Sequence, residues 1–100
     1  MKGVLMSYLD DVAATIRAEL GEQPSDSSAP QLLRLYALLL LAKGEDVNSE
    51  DVHNAWAAWM QECQPAHESI KPFKDLDRST QKADDPFVAA IRRAARSLHH

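Results

Sequence analysis

One hundred residues leave room for one hydrophobic core. With 45% hydrophobic and 26% charged residues and a mean hydropathy of -0.37, the composition is that of a soluble globular chain, which speaks against a membrane span and against wholesale disorder. A net charge of -4 argues against a general nucleic-acid binder, and a single cysteine excludes an internal disulfide and any Cys-cluster zinc site.

Residues 1–6 hold one lysine and a short apolar stretch, soon followed by Asp10 and Asp11. That is too brief and too quickly acidic for a secretory signal. A first helix is predicted over residues 7–20. Leu5, Leu9, Val12, Ile16 and Leu20 recur at spacings of three and four, which makes one apolar face. Ser7 is its expected N-cap, with Asp10 and Asp11 in the first turn and Gly21 as the stop. Residues 22–29 contain no large apolar side chain and read as a linker.

Pro30 suits the first turn of a second helix, which runs to Lys43 and stops at Gly44. Its leucines point almost all round the axis. Such a helix is covered on most sides, either as the central helix of the domain or partly in an oligomer interface. Leu33, Tyr36 and Leu40 are the interface candidates. The apolar run 35–42 falls far short of the roughly 20 residues that a membrane crossing needs.

The third helix has the clearest start. Asn48 and Asp51 form a capping-box variant, with Val47 and Val52 in the staple positions. The helix is expected to end near Cys63, before Pro65, with Val52, Trp56, Trp59 and Cys63 on one face. Residues 64–77 read as an anchored loop, because Ile70, Phe73 and Leu76 lie among its prolines; 69–71 is the single strand candidate. A short helical turn is expected over 77–83. Asp85 and Pro86 then open a last helix, 86–97, that buries Phe87, Ile91, Ala94 and Leu98 and turns Arg92, Arg93 and Arg96 to solvent. The reading is an all-α, compact four-helix domain spanning 1–98, with His99-His100 set aside as a possible tag remnant.

No residue set points to catalysis. Cys63 and His67 are separated by Pro65 and do not share a helical face, so neither a zinc site nor a Cys–His nucleophile is supported. No cofactor loop is present, with only three glycines in the chain. Paired carboxylates such as Asp84/Asp85 are explained by helix capping. Residues 51–100 balance seven acids with seven Lys/Arg, so the net negative charge belongs to the first half. Trp56 and Trp59 read first as core anchors; the sharper reading is a shallow pocket, with His53, His67 and Ser69, that stacks a flat ligand.

The stretch Asp51-Val52-His53-Asn54-Ala55-Trp56-Ala57, with its His-x-x-Trp pattern, resembles the helix signature of the ryanodine-receptor (RyR) domain. The segment from His67 through Pro72 and Phe73 to Leu76 resembles that family's second block. The whole chain also resembles small proteins of actinobacterial phages and their hosts. The resemblance implies a small, non-enzymatic recognition module, with nucleotide derivatives as ligands. Carried over, it implies hydrogen bonds from His53 and His67, a stacking face on Trp56, charge from Lys71, and a contact at Ser69. The expectation is a cytoplasmic phage accessory protein that binds a host protein or itself, or alternatively a nucleotide-derivative binder. Neither nucleic acid, membrane nor metal is expected as a partner.

Overall fold

Local signals set the helix ends. The structure, a computed structural model, describes residues 3–21 and 30–98, with side chains from residue 8 onward. The linker reading for 22–29 and the Leu5 side chain lie outside the described residues. Helix α1 is Gly3–Leu20, α2 is Pro30–Lys43, α3 is Ser49–Cys63, α4 is Arg78–Lys82 and α5 is Asp85–Leu98. Two single 3-10 turns, Gly44–Asp46 and Phe73–Asp75, complete the described residues' regular structure. The chain is an all-α domain of four long helices, with α4 a one-turn helix inside the connection between α3 and α5. No strand forms among the described residues, and 69–71 is a turn in which the Lys71 N–H donates to the Ser69 carbonyl.

Gly21 and Gly44 both take left-handed backbone angles (φ 68° and 58°) just past a helix end, which costs glycine little. The start of α3 is locked reciprocally. The Asp51 N–H donates to the Asn48 side chain at 2.9 Å, and the Asn48 N–H donates to the Asp51 carboxylate at 3.0 Å. Val47 and Val52 are both fully buried beside that cap, as a hydrophobic staple requires.

Two expected helix starts differ. Helix α1 already begins at Gly3, so Ser7 lies inside it and cannot cap it. Asp10, no longer in the first turn, instead pairs with Arg34 of α2 at 3.0 Å. Helix α5 begins at Asp85, one residue early. The residue before it is Asp84, whose carbonyl accepts from the N–H groups of Phe87 and Val88.

Helix α2 occupies the centre and packs on α1, α3 and α5. Its buried face is Leu32, Leu33, Tyr36, Ala37 and Leu40. The proposed interface residues Leu33, Tyr36 and Leu40 are therefore core residues, at 5%, 1% and 5% exposure, and present no surface to a partner. What α2 leaves outside is Leu38 and Leu41, at 51% and 42% exposure.

Helix α5 buries Val88, Ala90, Ile91, Ala94 and Ala95, while Leu98 is exposed and Phe87 half-buried. Its small alanines let the neighbouring helices approach closely, so the face rotates away from the larger apolar side chains at its two ends. The three arginines of α5 are not a bare solvent face. Arg92 donates to the Val47 carbonyl at 2.9 Å. Arg93 grips both the carboxylate and the carbonyl of Glu19, each at 2.9 Å, and Arg96 pairs with Glu45 at 3.1 Å. They fasten α5 to the end of α1 and to the turn before α3.

Candidate functional site

A cavity of about 230 Å³ opens between α2, α3, α4 and α5. Its floor is Leu32 and Tyr36 of α2, and one wall is His53, Trp56 and Trp59 of α3. The opposite wall is Phe87 of α5 with Ala83 and Asp84 of the α4–α5 link; Ser69 and Thr80 add two hydroxyl groups. The interior is mostly apolar, with Tyr36, Trp56, Trp59 and Phe87 supplying aromatic surface, and none of its lining side chains is a lysine or arginine.

Each wall is held by contacts that follow from the helix register. His53 and Trp56, three residues apart on α3, share a face and stack, with ring centroids 5.7 Å apart and planes at 27°. His53 is 3% exposed, and its Nε2 meets the Lys71 carbonyl at 2.7 Å. A carbonyl only accepts, so this nitrogen carries the hydrogen. Phe73 lies tilted against the same ring at 6.1 Å, and Gln81 of α4 donates to the Phe73 carbonyl at 3.0 Å. Two side chains thus catch two backbone carbonyls and anchor the connection beside the cavity. Tyr36 tilts against Phe87 at 5.7 Å.

The polar groups are unevenly served. Asp77 caps α4, accepting from Thr80 N–H at 2.8 Å and Ser79 hydroxyl at 3.1 Å, and these bonds, Thr80 first, hold its carboxyl below the usual range. Asp84 stands in the corresponding place before α5, but its carboxylate caps nothing; it lines the cavity. Among the described residues no donor reaches its oxygens and no side chain lies within ion-pair distance. Burial pushes its carboxyl up to about 6; a His53 charge would draw it down, and Asp85 beside it adds to the rise. Burial raises the Tyr36 phenol above its ordinary value, and the Asp84 charge reinforces that, so the hydroxyl stays neutral.

A stability change with pH follows. The folded Asp84 value lies above its ordinary 3.8, so the folded state binds the proton more tightly than the unfolded chain does. Stability is therefore expected to fall as pH rises from about 4 through about 6. Discounted for its solvent-facing part, the cost above that window is about 1 kcal/mol. Asp84→Asn is expected to recover that amount at about pH 8 and almost nothing at about pH 4, read from urea unfolding midpoints.

A family model described as a domain of unknown function (DUF7701) matches residues 7–96. The chain belongs to the DUF7701 family. No curated protein and no solved structure matches it. The family match overturns the ryanodine-receptor resemblance, and nothing supports the phage kinship read beside it. The His-x-x-Trp pattern behind that resemblance has a packing cause: it places His53 and Trp56 in contact on α3.

The DUF7701 fold brings His53, Trp56 and Ser69 to the cavity and leaves two of the expected residues outside it. His67 sets its ring edge-on to Trp56 at 5.1 Å, and its Nδ1 accepts from the Ser69 N–H at 3.0 Å. Lys71 is exposed and contributes its carbonyl to His53. The charge expected from Lys71 is thus absent from the cavity wall, and the imidazole of His53 stacks within the fold. Asp84, Tyr36, Phe87, Leu32 and Thr80 were not anticipated. Among the described residues no three His, Cys, Asp or Glu side chains gather as metal ligands, and no helix is long and apolar enough to cross a membrane. Cys63 ends α3 and is exposed, so it does not join the Val52–Trp56 face.

Proposed function

We propose that this DUF7701 domain is a non-enzymatic recognition module that binds a small ligand with a flat apolar body in the cavity between α2, α3 and α5. The observation that carries the reading is the aromatic cavity itself, with a few polar groups converging on it, the usual make-up of a ligand site. The cleft, about 230 Å³ and open to solvent on one side, is bordered by two tryptophans, whose flat faces suit a planar apolar body. The surface gives less support to a protein partner or a second copy. The large leucines expected to meet one are buried, and Leu38 and Leu41 alone are ordinary surface. A lone exposed thiol, Cys63, supports a reducing, cytoplasmic setting.

Trp56 and Trp59, the chain's two tryptophans, both line the cavity, so intrinsic fluorescence reports on it. Screening one- and two-ring aromatic compounds at about millimolar concentration is expected to give saturable changes for some of them. Ala83→Phe, at an exposed rim position, is expected to fill the space and abolish those changes. If no compound perturbs the native protein, or the rim variant responds equally, the reading fails.

A further inference from the structure

We propose that the ligand is an organic cation: an ammonium group set against the Asp84 carboxylate, with its carbon body among Trp56, Trp59 and Phe87. This rests on the cavity being a ligand site and names the class of molecule it takes.

The first observation is Asp84 itself. The carboxylates of Asp10, Asp51, Asp77 and Asp85 each have a partner, Arg34, Lys43, Thr80 and Ser49, and those of Asp11, Asp46 and Asp75 are exposed to water. Asp84 is half-buried, sits where an N-cap would sit, and spends its carboxylate on no amide of α5. An acid held in a partly dry wall without a donor is costly, and a cation from outside offsets that cost.

The second observation is the composition of the wall. The π faces of tryptophan and phenylalanine carry partial negative charge, and they attract an ammonium group within about 6 Å. Lysine and arginine are missing from the lining. Apart from the imidazole of His53, an anion would thus meet a carboxylate and aromatic faces without a counter-charge. That disfavours a nucleotide, whose phosphates need cations. A neutral ring would fill the space and leave Asp84 unpaired.

The third is Tyr36. It is 1% exposed and lines the cavity; its hydroxyl makes no hydrogen bond among the described residues and is not sealed from solvent. A neutral phenol can accept from a second N–H of the same ammonium group. Ser69 and Thr80 supply further oxygens to the lining.

The test uses the full chain and three probes of one shape: benzylamine, neutral benzyl alcohol and anionic benzoate, titrated by tryptophan fluorescence. Benzylamine is expected to bind at least about tenfold more tightly than benzyl alcohol, and benzoate most weakly. Asp84→Asn, an isosteric change checked for helical content, is expected to reduce benzylamine to the level of the alcohol and to leave the alcohol unchanged. Between about pH 8 and about pH 5, benzylamine affinity for the native protein is expected to drop about tenfold as Asp84 takes up its proton. The groups facing Asp84 are Tyr36 from α2, His53 from α3 and the adjoining Asp85 of α5. Dependence on pH that survives in Asp84→Asn belongs to them. Equal affinity for amine and alcohol, or tightest binding of benzoate, would overturn the cation proposal and leave the ligand site standing. No response to any probe, here and in the wider aromatic screen, overturns both.

Discussion

Tyr36→Ala is expected to remove about 3–5 kcal/mol of folding stability, whereas Tyr36→Phe changes it by less than about 1 kcal/mol. The ring is the largest fully buried side chain of the core. It shares the buried face of α2 with Leu33, Ala37 and Leu40, and it also forms the floor of the cavity and tilts against Phe87. Truncation joins a new void to one that already exists, so neighbouring side chains have little to collapse onto, and the cost sits at the upper end for an aromatic deletion. A domain of this size has about 5–15 kcal/mol in total, so the alanine variant loses a large share of it. The hydroxyl is different. It makes no hydrogen bond among the described residues and keeps some access to solvent, so removing it breaks no bond. Urea unfolding followed by circular dichroism separates the two variants. If Tyr36→Phe proved as damaging as Tyr36→Ala, the hydroxyl would have an essential partner, and its role as a free acceptor in the cavity would fall.

How far the sequence could be read follows the range of each interaction. The Asn48–Asp51 box spans three residues and is written in residue types, so it is legible directly, as are the glycine stops at 21 and 44. The four long helices are legible because apolar spacing repeats along each. The buried face of α5 was less so. Ala90 and Ala95 carry little hydrophobic signal, yet they are the residues that let helices approach, while Leu98 is conspicuous in sequence and exposed in the fold. Arg93 reaches Glu19 across most of the chain, and nothing local announces that bond. The cavity lies at the same limit. Four helices and two connecting segments contribute to it, and which stretches face one another is set by the tertiary fold rather than by local sequence. In sequence Asp84 reads as one of a pair of capping acids, because residue type alone does not reveal which way a carboxylate turns. Its failure to cap was not visible before the helices were set against each other, and that failure is what makes it interesting.

His53→Ala is expected to cost about 2–3 kcal/mol and to loosen the segment between α3 and α4. His53 is the only buried polar residue among the described residues, and its ring stacks on Trp56 and lies tilted against Phe73. Its Nε2–H is spent on the Lys71 carbonyl, which α3 could not otherwise hold. The alanine variant loses the ring contacts with Trp56 and Phe73 and leaves that carbonyl to find water. His53→Phe keeps a ring in place and removes only the donor, so it is expected to regain about half of the loss. Amide hydrogen exchange locates the effect. The N–H groups of Ile70, Lys71 and Leu76, which bond within this segment, are expected to lose protection in both variants, while those of α1 keep theirs relative to global unfolding. Unchanged protection at these amides would show that Gln81 and the burial of Leu76 suffice to anchor the segment. The distinction bears on binding. Ser69 borders the cavity from this segment, so a donor on α3 that fixes Lys71 also fixes one side of the entrance. A His53→Phe protein that remains folded but binds cations more weakly would show that the wall must be held in place as well as correctly charged.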